Sequence, residues 1–245
     1  MTVSRTAATA ARVLSQLRRD PRTLALLIVV PCVLIVLVDQ LFAGQEATFQ
    51  KIGVPMLGLF PLISMFLVTS ITMLRERTTG TLERLLTTPL TKLELLLGYG
   101  IAFAIVAAVQ ATVVSIVGFG LLGLEATHSD ALIVLLAVAN AILGMAFGLF
   151  VSAFAQTEFQ AVQFMPAFVL PQILLCGLFV AQDQMADWLA AISKVLPLTY
   201  AFDALDRAAH DPTLGPRFWL DVAVIVGATL LALGLGAATL RRRTA

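Results

Sequence analysis

The sequence predicts an all-α membrane protein of six transmembrane helices. An amphipathic interface helix precedes the first span, a short charged helix separates the second from the third, and a re-entrant element precedes the last. Three observations predict this. Of 245 residues, 59% are hydrophobic and only 13% charged, where a soluble domain carries about a quarter charged residues. The chain therefore lacks the polar side chains to cover its own surface in water. Its apolar stretches are long and continuous, as spanning helices require, instead of alternating in segments of about ten residues as barrel strands do. Lysine and arginine, finally, are concentrated in one set of connections between those stretches.

The elements follow in order. Residues 1–22 carry five arginines and no apolar run, which is not the pattern of a signal peptide. Within them Ala7, Ala10, Leu14 and Leu17 alternate with Arg5, Arg12, Arg18 and Arg19, the pattern of a basic helix lying in the membrane interface. Asp20–Pro21 breaks it. The first span covers about 23–43, and Pro31 inside it is tolerated in lipid where neighbouring groups satisfy the freed carbonyl. The second span, 52–74, contains Pro55 and Pro61. The third and fourth are 93–122 and 131–155. The fifth, 161–180, is interrupted by Pro166 and Pro171. The segment 181–216 holds an apolar piece, Trp188–Leu196, that is too short to cross a bilayer and reads as re-entrant or interfacial. The sixth span, 218–240, ends on Arg241–Arg243. Cys32 and Cys176 sit inside apolar runs and read as small hydrophobes.

Between the second and third spans lies the stretch around which the rest is arranged, Arg75-Glu-Arg-Thr-Thr-Gly-Thr-Leu-Glu-Arg-Leu-Leu-Thr-Thr-Pro89 within the connection 75–92. Leu82, Leu85 and Leu86 make one narrow apolar face, and Glu76, Glu83 and Arg84 supply the polar remainder. Gly80 suits a turn, Thr81 an N-cap, and Pro89 disfavours helix at Thr88. Such a segment lies on a surface or meets a partner.

Counting lysine and arginine orients the chain. With the N-terminus inside, twelve lie in cytoplasmic segments and four on the other side, so both termini and the 75–92 segment face the cytoplasm. Several functions are disfavoured by what is missing. The sequence contains no Gly-Lys pair and hence no phosphate loop of the Gly-x-x-x-x-Gly-Lys type. His128 and His210 have no cysteine or carboxylate at metal-ligand spacing, and Asp203–Asp206–His210 reads as a solvated outer helix. No catalytic set and no nucleic-acid partner is indicated. Ionisable groups are nearly absent from mid-membrane, which argues against ion-driven transport. The neutral polar residues there, Thr69, Gln110, Asn140, Gln163 and Gln172, have two readings: hydrogen bonds between helices, or the lining of a translocation path.

The stretch from Arg75 to Lys92 resembles the Glu-Arg-x-x-Gly-Thr-x-Glu-x-Leu-x-x-x-Pro signature of the ABC-2 type exporter permeases, and most of all the small bacterial drug-resistance permeases. Leu196-Pro-Leu-Thr-Tyr-Ala-Phe-Asp-Ala-Leu is similar to the family's second pattern, with Arg207 standing a little later than usual. The resemblance implies a permease that exports hydrophobic or amphiphilic compounds, drugs among them. Its site residues would be Arg75, Glu76, Gly80, Thr81, Leu82, Glu83, Arg84, Leu85 and Pro89, forming a coupling helix in the groove of a separate ATP-binding subunit. That partner would hold ATP and Mg, and this chain would bind no cofactor. A second permease, identical or a sister chain, would complete the transporter in the bacterial inner membrane. Export of lipid or polysaccharide precursors, and a non-transporting anchor or sensor, are the competing readings.

Overall fold

Ten α-helices, one π turn and one 3-10 turn make up the secondary structure of the residues that the structure, a computed structural model, describes, namely 3–81 and 91–239. Helix α1 (Val3–Arg18) buries Ala10, Val13 and Leu17 and leaves Arg5 and Arg18 exposed, the amphipathic division its sequence predicts. Asp20 then caps α2 (Pro21–Leu41): its carboxylate accepts from the Thr23 amide at 3.2 Å and the Thr23 hydroxyl at 2.6 Å. Pro21 occupies the first turn, where its missing N–H costs nothing.

Helix α3 (Glu46–Thr78) is 33 residues long, about 50 Å at 1.5 Å per residue, and so exceeds a bilayer core. It contains Pro55 and Pro61 and does not stop at Leu74. No breaker stands between Leu74 and Thr78, so Arg75, Glu76 and Arg77 are the last turn of this helix, not part of a separate one. The stop is Gly80, with φ +71°, a left-handed conformation that glycine adopts without the penalty of a side chain.

Helix α4 (Lys92–Ile116) opens with a capping box, Thr91 accepting from the Glu94 amide and Glu94 accepting from the Thr91 amide, and runs on as the π turn Val117–Leu121. Helix α5 (Asp130–Val151) is the centre of the bundle and packs along α3. A Cβ on Gly144 would fall inside van der Waals contact of the Leu62 carbonyl, and one on Gly148 inside contact of the Phe66 carbonyl. Two glycines four residues apart let the backbones meet, as in close transmembrane crossings. Helix α10 (Pro216–Thr239) lies on the other side of α5.

Among the described residues, five helices are long and apolar enough to cross a membrane: Pro21–Leu41, Glu46–Thr78, Leu97–Leu121, Asp130–Val151 and Pro216–Thr239. The fifth span, expected at 161–180, falls instead on two short helices, α6 (Glu158–Phe168) and α7 (Leu170–Leu175). Pro171 has no N–H for the carbonyl one turn before it, which accounts for the break. Chain 176–196 then turns at Gly177 (φ +106°) and forms a 3-10 turn, Gln182–Gln184, and α8 (Asp187–Ser193). The apolar piece expected at Trp188–Leu196 is thus mostly α8, and a longer amphipathic helix, α9 (Pro197–His210), follows it.

Candidate functional site

The end of α3 that carries the signature is built from three helices. Arg12 of α1 reaches Glu76 of α3 at 3.3 Å, donates to the Tyr99 hydroxyl of α4, and lies 5.5 Å from the centre of the Tyr99 ring. Burial works against the Arg12 charge, but Tyr99 and Glu76 outweigh it, and its pKa is raised. Glu76 is buried, with 7% of its surface exposed, so its carboxylate turns inward and ties α1 to α3. Arg75, the next residue back, faces outward and makes a bidentate pair with Glu158 of α6, at 2.6 and 2.9 Å. That pair holds the Glu158 carboxyl below its usual range. Beyond it the Thr79 hydroxyl bonds the Arg75 carbonyl at 2.7 Å and meets the Thr81 hydroxyl at 3.0 Å, with Gly80 turning the chain between them. Leu82, Glu83, Arg84, Leu85 and Pro89 lie outside the described residues.

The five neutral polar residues of the spans are not gathered in one place. Gln110 of α4 donates to the Leu27 carbonyl at 2.7 Å. That carbonyl stands four residues before Pro31, and is the one that Pro31 leaves without its helical donor. Asn140, ten residues into α5, donates to the Ala201 carbonyl of α9 at 3.1 Å. Gln172 bends back to the Phe168 carbonyl at the α6–α7 break. Thr69 is buried in α3, its hydroxyl without a partner among the described residues. Gln163 is exposed in an open groove beside Phe154, Gln160 and Pro166.

The Gln110 contact makes a sharp expectation. Gln110→Leu should destabilise the protein by about 1–2 kcal/mol, because a carbonyl is left bare in an apolar setting. Pro31→Ala should recover most of that loss, since an alanine at this position brings its own N–H to the Leu27 carbonyl. Thermal unfolding of the wild type, both single variants and the double variant checks it; equal losses from Gln110→Leu with and without the proline would refute the account.

At the other end of the bundle, α9 and α10 are joined through Arg207. Its Nε donates to Asp221 at 3.0 Å, and its remaining nitrogens lie 3.9 Å from Asp203 and 3.7 Å from Asp211. The expected solvated helix is therefore only half right: Asp206 and His210 pair on the exposed side at 3.1 Å, while Asp203 turns inward to Arg207 and Gln182. Burial, with the nearby Asp221 charge, pushes the Asp203 carboxyl up to about 6, against the pull of Arg207. The folded chain thus holds this proton to higher pH than the unfolded chain. The contribution to stability is complete below about pH 4 and is lost as pH rises through about 6. Melting curves from pH 4.5 to 7.5 should fall more steeply for the wild type than for Asp203→Asn, with the variant ahead by about 2 kcal/mol at the upper end; parallel curves would contradict it.

The Arg12–Glu76–Tyr99 contact is not legible in the sequence, because its members stand 64 and 87 positions apart and Arg12 falls on the basic side of α1, in line with Arg5 and Arg19. Sequence reading also misses the paired glycines, Gly144 and Gly148, whose spacing alone is visible.

Long apolar helices packed through glycine contacts, with prolines and polar groups satisfied across helices, define a multi-pass helical membrane protein. The signature stands at the turn that leaves its second long helix. The chain belongs to the ABC-2 type transporter family, whose model matches residues 5–208. It is 31% identical over 148 residues to the probable multidrug ABC transporter permease YbhR of Escherichia coli (strain K12), a stretch covering 60% of this chain and 40% of that protein. Against the probable multidrug ABC transporter permease YbhS of the same strain it is 25% identical over 180 residues, 72% of this chain and 47% of that protein. A third relative, ABC transporter G family member 20 of Dictyostelium discoideum, is 25% identical over 138 residues, 56% of this chain and 19% of that protein. The chain thus matches less than half the length of each of these relatives.

Proposed function

We propose that this ABC-2 permease is the membrane subunit of an ATP-driven exporter of hydrophobic or amphiphilic compounds, drugs among them. One observation carries the proposal most: the family signature falls where α3 ends in an outward-facing Arg75 and a glycine turn, which is where a cytoplasmic subunit can dock. The segment after Gly80, with Thr81, Leu82, Glu83, Arg84, Leu85 and Pro89, is the coupling element on this reading. ATP and Mg belong to that separate ATP-binding subunit, and a second permease, identical or a sister chain, completes the path. Glu76 acts from behind, fixing the last turn of α3 to α1.

Topology follows from the same reading. The basic residues of α1, Arg75, Arg77 and Lys92 lie on the cytoplasmic side of a bacterial inner membrane, with both termini. Helices α6 and α7 together make the fifth of six crossings. The α8–α9 pair is re-entrant from outside: the Ala201 carbonyl meets Asn140, about 15 Å into α5, whereas the Ala209 carbonyl meets the Thr127 amide just before α5 begins.

The test is to isolate the tagged chain in mild detergent and assay ATP hydrolysis and export of a lipophilic drug from vesicles. A nucleotide-binding subunit should come with it. Glu83→Ala and Gly80→Pro should leave the chain inserted and abolish coupling of transport to hydrolysis. Normal transport by both variants would remove the coupling assignment, and a chain isolated alone under every mild condition would favour an anchoring or sensing role.

A further inference from the structure

We infer that the corner between α1, α2 and α4 is a binding site for one anionic phospholipid, with an acyl chain in the groove and its phosphate on Arg18. The inference needs only that the chain lies in a bilayer, not that it transports anything in particular. The groove has a volume of about 350 Å³ and is walled by Leu14 of α1, Leu24 and Ile28 of α2, and Ile105 and Val109 of α4, with Arg18 lining it as well. Water in such a place would find almost no hydrogen-bonding partners, and among the described residues no side chain fills it. Two of its walls belong to membrane-spanning helices, so the molecules that reach it are lipid chains.

Charge selects the headgroup. Arg18 is exposed at the last turn of α1 and makes no ion pair with any described carboxylate, whereas Arg12 is held by Glu76 and Arg75 by Glu158. The nearest acid along the chain, Asp20, has both oxygens accepting from Thr23. Arg19 and Arg22 are also found at the same bend. A cation standing at the mouth of an apolar groove, at the height where α1 meets the first span, matches a phosphate attached to an acyl chain. A soluble phosphate would leave the groove empty, and in a zwitterionic phospholipid the headgroup's own cation offsets the phosphate and is repelled by Arg18, Arg19 and Arg22.

The test uses the full chain in mild detergent, offered phosphatidylglycerol or phosphatidylcholine, with the lipids retained counted by native mass spectrometry. Wild type should keep one phosphatidylglycerol per chain with about a five-fold preference, the scale of one basic residue at an anionic surface. Arg18→Gln should remove the preference. Val109→Phe, at a position 51% exposed inside the groove, should lower retention while leaving Arg18 in place. Equal retention of both lipids by wild type, an undiminished preference in Arg18→Gln, or unchanged retention in Val109→Phe would each overturn the assignment. So would efficient disulfide formation between Val109→Cys chains in membranes, because the groove would then hold a second copy.

Discussion

Gly144→Leu should yield little or no folded protein, whereas Gly234→Leu should be tolerated. The difference lies in what each new side chain meets. On Gly144 the first added carbon already collides with the Leu62 backbone of α3, and backbone cannot move aside as a flexible side chain can. The helices it would force apart hold Leu59, Leu62, Phe66, Leu143 and Phe147, all in one buried cluster. Separating them also withdraws the surface on which α10 rests. A loss of more than about 4 kcal/mol follows, in the range where single substitutions unfold a protein. On Gly234 of α10 the same carbon meets nothing within 4 Å, and replacing a helical glycine gains up to about 1 kcal/mol of propensity. Yield of monodisperse protein and its melting temperature in detergent separate the two. Were Gly144→Leu to melt with the wild type, the close α3–α5 crossing would be wrong.

That contrast shows which parts of this fold are legible in a sequence. The long helices are legible because continuous apolar runs have few alternative fates: each must find lipid or a buried face. The ends are less so. Leu74 is the natural end of the second span because Arg75 is charged, yet nothing in Arg75–Thr78 stops a helix, and the inward turn of Glu76 gives that extension an internal ion pair. Pro166 and Pro171 are visible as interruptions, but whether a proline kinks a span or divides it depends on which neighbours receive the freed carbonyls. For Pro31 the neighbour is Gln110, whose amide meets a carbonyl 83 residues away in the chain. No local pattern announces such a pairing. Asp203 shows the same limit at the opposite end of the bundle. Its spacing from Asp206 and His210 suggests one wet face, but in a helix the fourth residue on, Arg207, is as close a neighbour, and Arg207 is drawn inward by an aspartate from α10.

The same Arg207 should be the most sensitive charged position in the chain. Arg207→Ala removes the partner of Asp221, a carboxylate only 1% exposed, and leaves Asp203 beside it without its cation. Removing one member of a buried pair costs about 3–5 kcal/mol, because the remaining charge is stranded away from water. Arg207→Leu combined with Asp221→Leu should recover most of this, since the Asp221 charge leaves with its partner and only Asp203, at the longer distance of 3.9 Å and 19% exposed, loses its cation. Asp211→Asn should shift stability by less than about 0.5 kcal/mol: the Asp211 side chain is 47% exposed at 3.7 Å from Arg207, the condition in which ion pairs contribute little. Thermal unfolding at pH 7.5, with limited proteolysis of the loop between α9 and α10, would read all three variants. A double variant as unstable as Arg207→Ala would mean that Arg207 stabilises the protein through its other contacts. An Arg207→Ala protein as stable as the wild type would mean that water reaches Asp221, and that α9 is held against α10 by its apolar face alone.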